Sequence, residues 1–260
     1  MSSRVENFYN NHYVNLSIQG NHLKQGDNYK GLLYNAGVAL NPRTTESKTT
    51  IGPNAFKDLP RQYVVNWTPT LWLEYVFSQR ERLRLNYRGN SEAPNMWDLQ
   101  EVINVTDPMN MRYGNPNLKS YMCYRTELTY EWKKGIFYSN LWGAYDYRPN
   151  AIMDEKLQEG NKIVQTWDNQ KDWQKLSGRL MLRVGPLWDM LQLSFTGGVN
   201  HYMSHGNNYS HTYTNWYYEG QASFNYKRFS LFWQINTNWN NFWGETLSGG
   251  ENLSLIHISE

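Results

Sequence analysis

The sequence predicts an all-β chain: an antiparallel, up-and-down transmembrane β-barrel, incomplete, with roughly ten strands in a curved open sheet. Three observations predict it. Segment after segment alternates apolar and polar residues with the period of two that an extended chain imposes on its two faces. The connections alternate between very short turns and long polar loops. The charged residues of the alternating segments gather on one face and leave the other apolar.

The elements follow in order. Tyr13 to Gly20 sets Val14, Leu16 and Ile18 on one face, and Leu32 to Leu40 does the same with Leu32, Tyr34, Ala36, Val38 and Leu40. Thr70 to Ser78 turns Leu71, Leu73, Tyr75 and Phe77 outward and Glu74 inward. Glu81 to Gly89 is the clearest strand, with Leu83, Leu85 and Tyr87 on one side and Arg82, Arg84, Asn86 and Arg88 on the other. Tyr121 to Lys133 sends Met122, Tyr124, Leu128, Tyr130 and Trp132 outward, and Arg125, Glu127 and Glu131 inward. Ile136 to Arg148 presents Phe137, Leu141, Tyr145 and Tyr147. Lys175 to Val184 opposes Leu176, Leu180, Leu182 and Val184 to Lys175, Arg179 and Arg183. Leu191 to His201 presents Leu191, Leu193, Phe195 and Val199; Trp216 to Tyr226 presents Tyr218, Ala222, Phe224 and Tyr226. Phe229 to Asn240 opposes Phe229, Leu231, Trp233, Ile235 and Trp239 to Gln234, Asn236, Asn238 and Asn240.

Short connections fall at Gln79-Arg80, Lys134-Gly135, Gly185 to Trp188 and Lys227-Arg228. Long ones run from Asn41 to Arg61, Asn90 to Ser120, Asn150 to Asp172 and Met203 to Asn215. All the long ones therefore sit at one end, as in outer-membrane barrels. A two-residue turn at Lys134-Gly135 would place Trp132 opposite Phe137, and one at Lys227-Arg228 places Tyr226 opposite Phe229. Ring pairs just inside charged turns suit an interfacial girdle, where one edge of the ring is dry and the other wet.

Composition agrees with a barrel more than with a helical membrane protein. Tyr 20, Trp 12 and Phe 9 make the chain aromatic-rich, yet mean hydropathy is -0.77. No apolar run approaches the roughly 20 residues a spanning helix needs. A charge on the lipid face near the midplane would cost about 2–4 kcal/mol, and the outward sets carry none between the rings. The net charge of +2 is too even to argue for nucleic acid, and the single Cys123 allows no internal disulfide.

Candidate chemistry is sparse. His201, His205 and His211 share one region without a nearby Cys, Asp or Glu, and their spacing matches no zinc signature, so no metal is expected. Asp154, Glu155 and Glu159 fall in a polar loop with no nucleophile or oriented histidine, so no enzyme activity and no cofactor are expected. Arg82, Arg84, Arg88, Arg125, Glu127, Arg179 and Arg183 are the residues expected to face a wet lumen. They would stiffen the wall by pairing with Glu74, Glu127 and Glu131 across strands, or line an anion path, or grip a plug; pairing is the simpler reading. Leu83, Leu85, Trp132, Phe137, Leu193, Tyr226, Phe229, Leu231 and Trp233 are expected on lipid or in the girdle.

Between Leu83 and Trp132 lie Leu85-Asn86-Tyr87, then Asp107-Pro108, then Gly114-Asn115-Pro116-Asn117-Leu118-Lys119 leading into a strand. Gly114 tolerates φ > 0, Pro116 fixes its own φ, and Asn115 is pushed toward extended chain before it, which makes a rigid return into the strand. With Thr68-Pro69-Thr70-Leu71 and the strands to Asn240, this stretch resembles the outer-membrane β-barrel domain of TonB-dependent-receptor-like proteins of Bacteroidetes, over residues 60 to 245. Ser120 stands where that family usually has proline. The resemblance implies outer-membrane lipid around the barrel and, in the parent protein, a plug domain, an inner-membrane energy-coupling complex and a scarce small ligand taken up through the barrel.

Met1 is followed by polar residues and no secretion signal, so either the outer-membrane placement fails or the natural N-terminus lies upstream. Leu253 to Glu260 breaks the alternation and resembles a translated sequencing-library adapter, so the barrel segment is taken as residues 1–252 and 253–260 as a non-native tail. Two other functions stay open at this point: a plugless outer-membrane pore or structural barrel, and a soluble aromatic-rich sheet that binds glycans.

Overall fold

The structure is a computed structural model that describes residues 4–24, 26, 29–51, 59–99, 110–159, 162–237, 240–243, 246–249 and 254–259. The chain opens with β1 (Arg4–Asn11), β2 (Val14–Lys24), β3 (Lys30–Ile51), β4 (Leu59–Ser78) and β5 (Glu81–Glu92). After the one-turn α1 (Met96–Leu99) come β6 (Asn110–Arg112), β7 (Tyr121–Lys134), β8 (Phe137–Pro149), β9 (Ile152–Glu159) and β10 (Lys162–Asn169). The remainder is β11 (Asp172–Leu187), β12 (Leu191–His205), β13 (Ser210–Tyr226), β14 (Phe229–Asn236), β15 (Asn240–Trp243), β16 (Thr246–Gly249) and β17 (Ser254–Ser259). All ten strands expected from the sequence are present, although the last, expected from Phe229 to Asn240, ends at Asn236, and Asn238 and Trp239 lie outside the described residues.

Twelve strands form one antiparallel sheet in the order β1-β3-β4-β5-β7-β8-β11-β12-β13-β14-β17, with β2 also on β3. β1 and β2 lie end to end along one edge of the long β3, against Arg43 to Ile51 and Lys30 to Leu40. Among the described residues nothing pairs that edge with β17, so the sheet is open. From β2 to β14 the strands of this sheet follow chain order, the up-and-down order that hairpins produce.

Several boundaries differ from the sequence expectation. The loop expected from Asn41 to Arg61 is largely a tall hairpin, because β3 runs to Ile51 and β4 starts at Leu59. The alternation lapses there, while the threonines at 44, 45, 49 and 50 still favour extended chain. Similarly, Met203 to Asn215 narrows to the turn 206–209, and the Asn150 to Asp172 loop holds the β9–β10 hairpin.

The turn after β7 is Gly135-Ile136, not Lys134-Gly135: Lys134 pairs with Phe137 and Trp132 with Ser139. Gly135 takes φ 59, and Ile136 is not among the positive-φ residues, which puts the glycine at the first central position as a type II′ turn requires. Trp132 and Phe137 still share a face, but diagonally. Tyr226 does sit opposite Phe229 across Lys227-Arg228. The third short connection lies later than expected, since β11 runs to Leu187 and the turn is 188–190. The segment Leu253 to Glu260, set aside in the sequence reading, contributes β17 beside β14.

Burial runs opposite to that of a soluble sheet. Leu16 is 77% exposed, Ile18 64% and Trp216 73%, all on the apolar face. On the opposite face Asp146 is 7% exposed, Asn200 4% and Glu74 9%. Among the described residues no second layer covers the apolar face, and no helix is long and apolar enough to cross a membrane. A soluble glycan-binding sheet would hold these exposed leucine, isoleucine and tryptophan side chains in water, an unfavourable arrangement that lipid removes.

Two bands of rings bound the apolar face. Phe77, Trp132, Phe137, Tyr226 and Phe229 are exposed near the short-turn end. Toward the loop end, Tyr147 stacks on Tyr124 and Tyr145 at 6.4 and 6.5 Å between ring centroids. Phe137 and Tyr147 are ten positions apart on β8. That is about 34 Å along the strand, or about 26 Å along the membrane normal at a barrel's usual tilt. An outer-membrane apolar band is about 25 Å tall, so the spacing fits.

Candidate functional site: the polar face and its loop-end cap

The alternation that turns leucine to lipid turns arginine and glutamate to the opposite face, where neighbouring strands bring them into register. Glu74 on β4 pairs with Arg84 on β5, and the Arg84 Nε donates to Glu74 Oε2 at 2.8 Å. Arg82 pairs with Glu131 on β7 and donates to Oε2 at 3.1 Å. Arg125 reaches Glu127 on its own strand at 2.7 Å and Asp146 on β8 at 3.3 Å. Asn86 Nδ2 donates to the other Glu127 oxygen at 3.3 Å. The result is an ionic ladder that links β4, β5, β7 and β8 side by side. The arginines of these pairs stay partly exposed even where the acid is covered, as at Glu74 and Asp146, so each pair stabilises modestly, on the order of 1 kcal/mol.

Among the described residues no carboxylate lies within ion-pair distance of Arg88, Arg179 or Arg183. Arg88 stands directly opposite Arg125. Arg179 lies over the Trp142 ring at 5.1 Å, with Arg125 on the same ring at 5.9 Å, and its Nε has no hydrogen-bond partner. Arg183 lies 5.9 Å from the Tyr138 ring, and Lys175 4.9 Å from that of Tyr202. A cleft of about 790 Å³ opens on this face among Gln19, Asn35, Thr70, Trp72, Asn86 and Arg88. Asp146 and Trp142 escaped the sequence reading, although the outward parity of Tyr145 and Tyr147 already turned both inward. The rule that rings go to lipid hid Trp142.

At the loop end the β9–β10 hairpin packs on inward-facing residues of the sheet. Ala151 and Met153 join Tyr121, Cys123, Trp173 and Tyr202 in a buried apolar cluster. The Gly114 to Leu118 motif anchors this cap. Asn115 Nδ2 donates to Trp167 O at 3.0 Å and Asp168 Oδ1 at 3.4 Å, while its Oδ1 accepts from Asn117 N at 2.9 Å. Leu118 is buried against Leu99 of α1. Lys119 N donates to Asn169 Oδ1 at 2.8 Å. These contacts make the motif a structural turn that ties the loop before β7 to the hairpin after β8. Asp107 and Pro108 lie outside the described residues.

The other candidates have structural partners. Glu155 accepts from Asn208 Nδ2 at 2.7 Å and Gln170 Nε2 at 3.3 Å, which fastens the 206–209 turn to the cap. Asp154 is buried beside it, and the Glu159 side chain lies outside the described residues. His201 Nδ1 meets Thr214 Oγ1 at 2.7 Å, His205 Nδ1 meets Asp172 Oδ1 at 2.7 Å, and His211 stacks on Tyr209 at 5.3 Å. The three histidines therefore have separate partners. Among the described residues no group of three metal-ligating side chains converges. Of the expected lipid and girdle residues, Trp132, Phe137, Leu193, Tyr226, Phe229 and Trp233 are exposed, while Leu83, Leu85 and Leu231 are half-covered by neighbours on the same face.

An exposed apolar belt between two ring bands, backed by an ion-paired inner face, defines a transmembrane β-barrel protein. The chain belongs to the outer membrane protein beta-barrel family, whose description matches residues 6–250, and its place is the cell outer membrane. No curated protein matches it. Solved structures share the fold at low identity. The FrpB iron transporter from Neisseria meningitidis is 10% identical with a TM-score of 0.60 over 91% of this chain and 34% of that one. The copper transporter OprC is 9% identical with a TM-score of 0.64 over 96% and 39%. The siderophore receptor PirA from Acinetobacter baumannii is 11% identical with a TM-score of 0.54 over 98% and 48%. The chain thus spans between a third and a half of the length of these transporters and receptors.

Proposed function

We propose that this chain is part of the barrel wall of a TonB-dependent-type receptor that takes up a scarce ligand across the outer membrane. The observation that carries the reading is the two-part polar face. One set of cations is locked into the wall by Glu74, Glu127, Glu131 and Asp146. Another set, Arg88, Arg179 and Arg183, has no carboxylate partner among the described residues and is left to face contents of the lumen. On this reading Arg82, Arg84, Arg125 and Glu127 are wall, and Arg88, Arg179 and Arg183 meet a plug domain or a passing ligand. The resemblance of the Gly114 to Leu118 segment and the fold shared with an iron transporter, a copper transporter and a siderophore receptor support the same assignment. The plug and an inner-membrane energy-coupling complex are the partners it implies.

Planar-bilayer conductance of the complete protein tests this. A plugged receptor is silent at rest and conducts only once the plug is selectively unfolded by mild denaturant. A permanently open conductance would contradict the receptor reading and mark a plugless pore instead.

A further inference from the structure

The two ends of the sheet differ in charge. At the long-loop end acids and bases mix, as in Glu92 with Arg148 and Asp172 with His205. At the short-turn end bases outnumber acids at the hairpin tips: Lys24 pairs with Lys30 across the β2–β3 turn, whose one acid, Asp27, lies outside the described residues, Arg80 tips β4–β5, Lys133 and Lys134 precede the β7–β8 turn, and Lys227-Arg228 is the β13–β14 turn. Among the described residues none of these has a carboxylate within ion-pair distance. Glu81 is occupied by the Tyr130 hydroxyl at 2.5 Å, and Asp189 is the acid of a separate turn. The rings of Phe77, Trp132, Phe137, Tyr226 and Phe229 lie immediately inside this basic rim, so the cations stand at headgroup depth.

Within the rim, one cleft lies beside the rings. A cleft of about 400 Å³ separates the β2–β3 and β4–β5 turns, lined by Tyr29, Lys30, Phe77, Ser78, Gln79 and Arg80. Two cations flank it, an exposed ring leads from it onto the apolar face, and the Ser78 hydroxyl already accepts from Arg80 N at 3.2 Å, fixing the turn.

We propose that this cleft binds the phosphate headgroup of an anionic phospholipid in the leaflet on the short-turn side, with Lys30 and Arg80 on the phosphate and an acyl chain along Phe77. The basic tips at Lys133, Lys134, Lys227 and Arg228 extend the attraction along the rim. A juxtamembrane Lys or Arg gains from an anionic surface within a Debye length, and the girdle holds these at that distance. Position beside the rings favours a lipid over an acidic protein partner.

The test is native mass spectrometry of the full 260-residue chain folded in detergent doped with equal phosphatidylglycerol and phosphatidylcholine. Phosphatidylglycerol should be retained in preference. Lys30→Gln with Arg80→Gln should lower that preference at least fivefold, and the charge-conserving Lys30→Arg with Arg80→Lys should keep it. Lys119→Gln with Lys171→Gln removes the same charge from the loop end and should leave it unchanged. An equal fall in the loop-end variant, or no preference in the unmodified chain, would overturn the proposal. So would displacement of the lipid by inorganic phosphate, which would indicate a free-anion site. Should the glutamine variant fail to fold, salt decides on the unmodified chain: retention should weaken steeply with ionic strength, and indifference to salt would overturn the assignment.

Discussion

A leucine here has two values, depending only on the parity of its position. Leu180 pairs with Leu141 on β8 and Gly197 on β12, midway along β11 and on the apolar face; Met181 beside it points to Asn140 and Thr196. Leu180→Arg should therefore destabilise the chain in a lipid bilayer by about 2–4 kcal/mol, the cost of a cation near the midplane. Met181→Arg should cost less than half of that, because its face is already polar. Urea unfolding in phospholipid vesicles measures both. Equal costs would mean that the two faces see the same medium. The charged rows were legible from this parity alone, since Arg82, Arg84 and Arg88 alternate with Leu83, Leu85 and Tyr87. The exact partners were not. Asp146 as the second acceptor of Arg125, and the guanidinium groups on Trp142, depend on which strands are neighbours, and that information lies outside any one segment.

Strand existence was readable where one face met lipid and the other water, from β2 through β14. It was unreadable where the alternation lapses. The upper halves of β3 and β4 and the β9–β10 hairpin carry no apolar–polar alternation with a period of two, so their residues resembled loop. Turn register failed at Gly135-Ile136 for a related reason: a two-residue shift keeps every side chain on its own face, so the pattern cannot detect it. The Gly114 to Leu118 motif was legible as a turn, but its role as anchor of a cap was not, because Trp167, Asp168 and Asn169 lie about fifty residues further on. Asn115→Ala removes the side-chain bonds to Trp167, Asp168 and Asn117, with an expected cost of about 1–3 kcal/mol confined to the cap. Limited proteolysis should then cut the 150–171 region faster while the sheet strands stay protected. Unchanged cutting would mean that the cap is held elsewhere.

At the scale of the whole molecule, the main sheet ends, among the described residues, at β1 and β2 on one side and at β17 on the other, and unpaired edge backbone invites pairing with another strand. Its outward face is likewise unsuited to water. Both properties suit a barrel segment in a bilayer, and both follow from where the ions and leucines sit.

The most direct measurement is residue-by-residue immersion depth. In a Cys123→Ser background folded into vesicles, single variants Leu83→Cys, Leu193→Cys, Leu231→Cys, Arg84→Cys and Arg179→Cys would each carry one fluorescent label. The three leucine positions should be quenched by brominated lipid tails and spared by aqueous iodide. The two arginine positions should show the reverse. Arginine positions quenched from the lipid, with leucine positions open to iodide or shielded from both, would contradict a hydrocarbon-facing exterior around a wet interior wall.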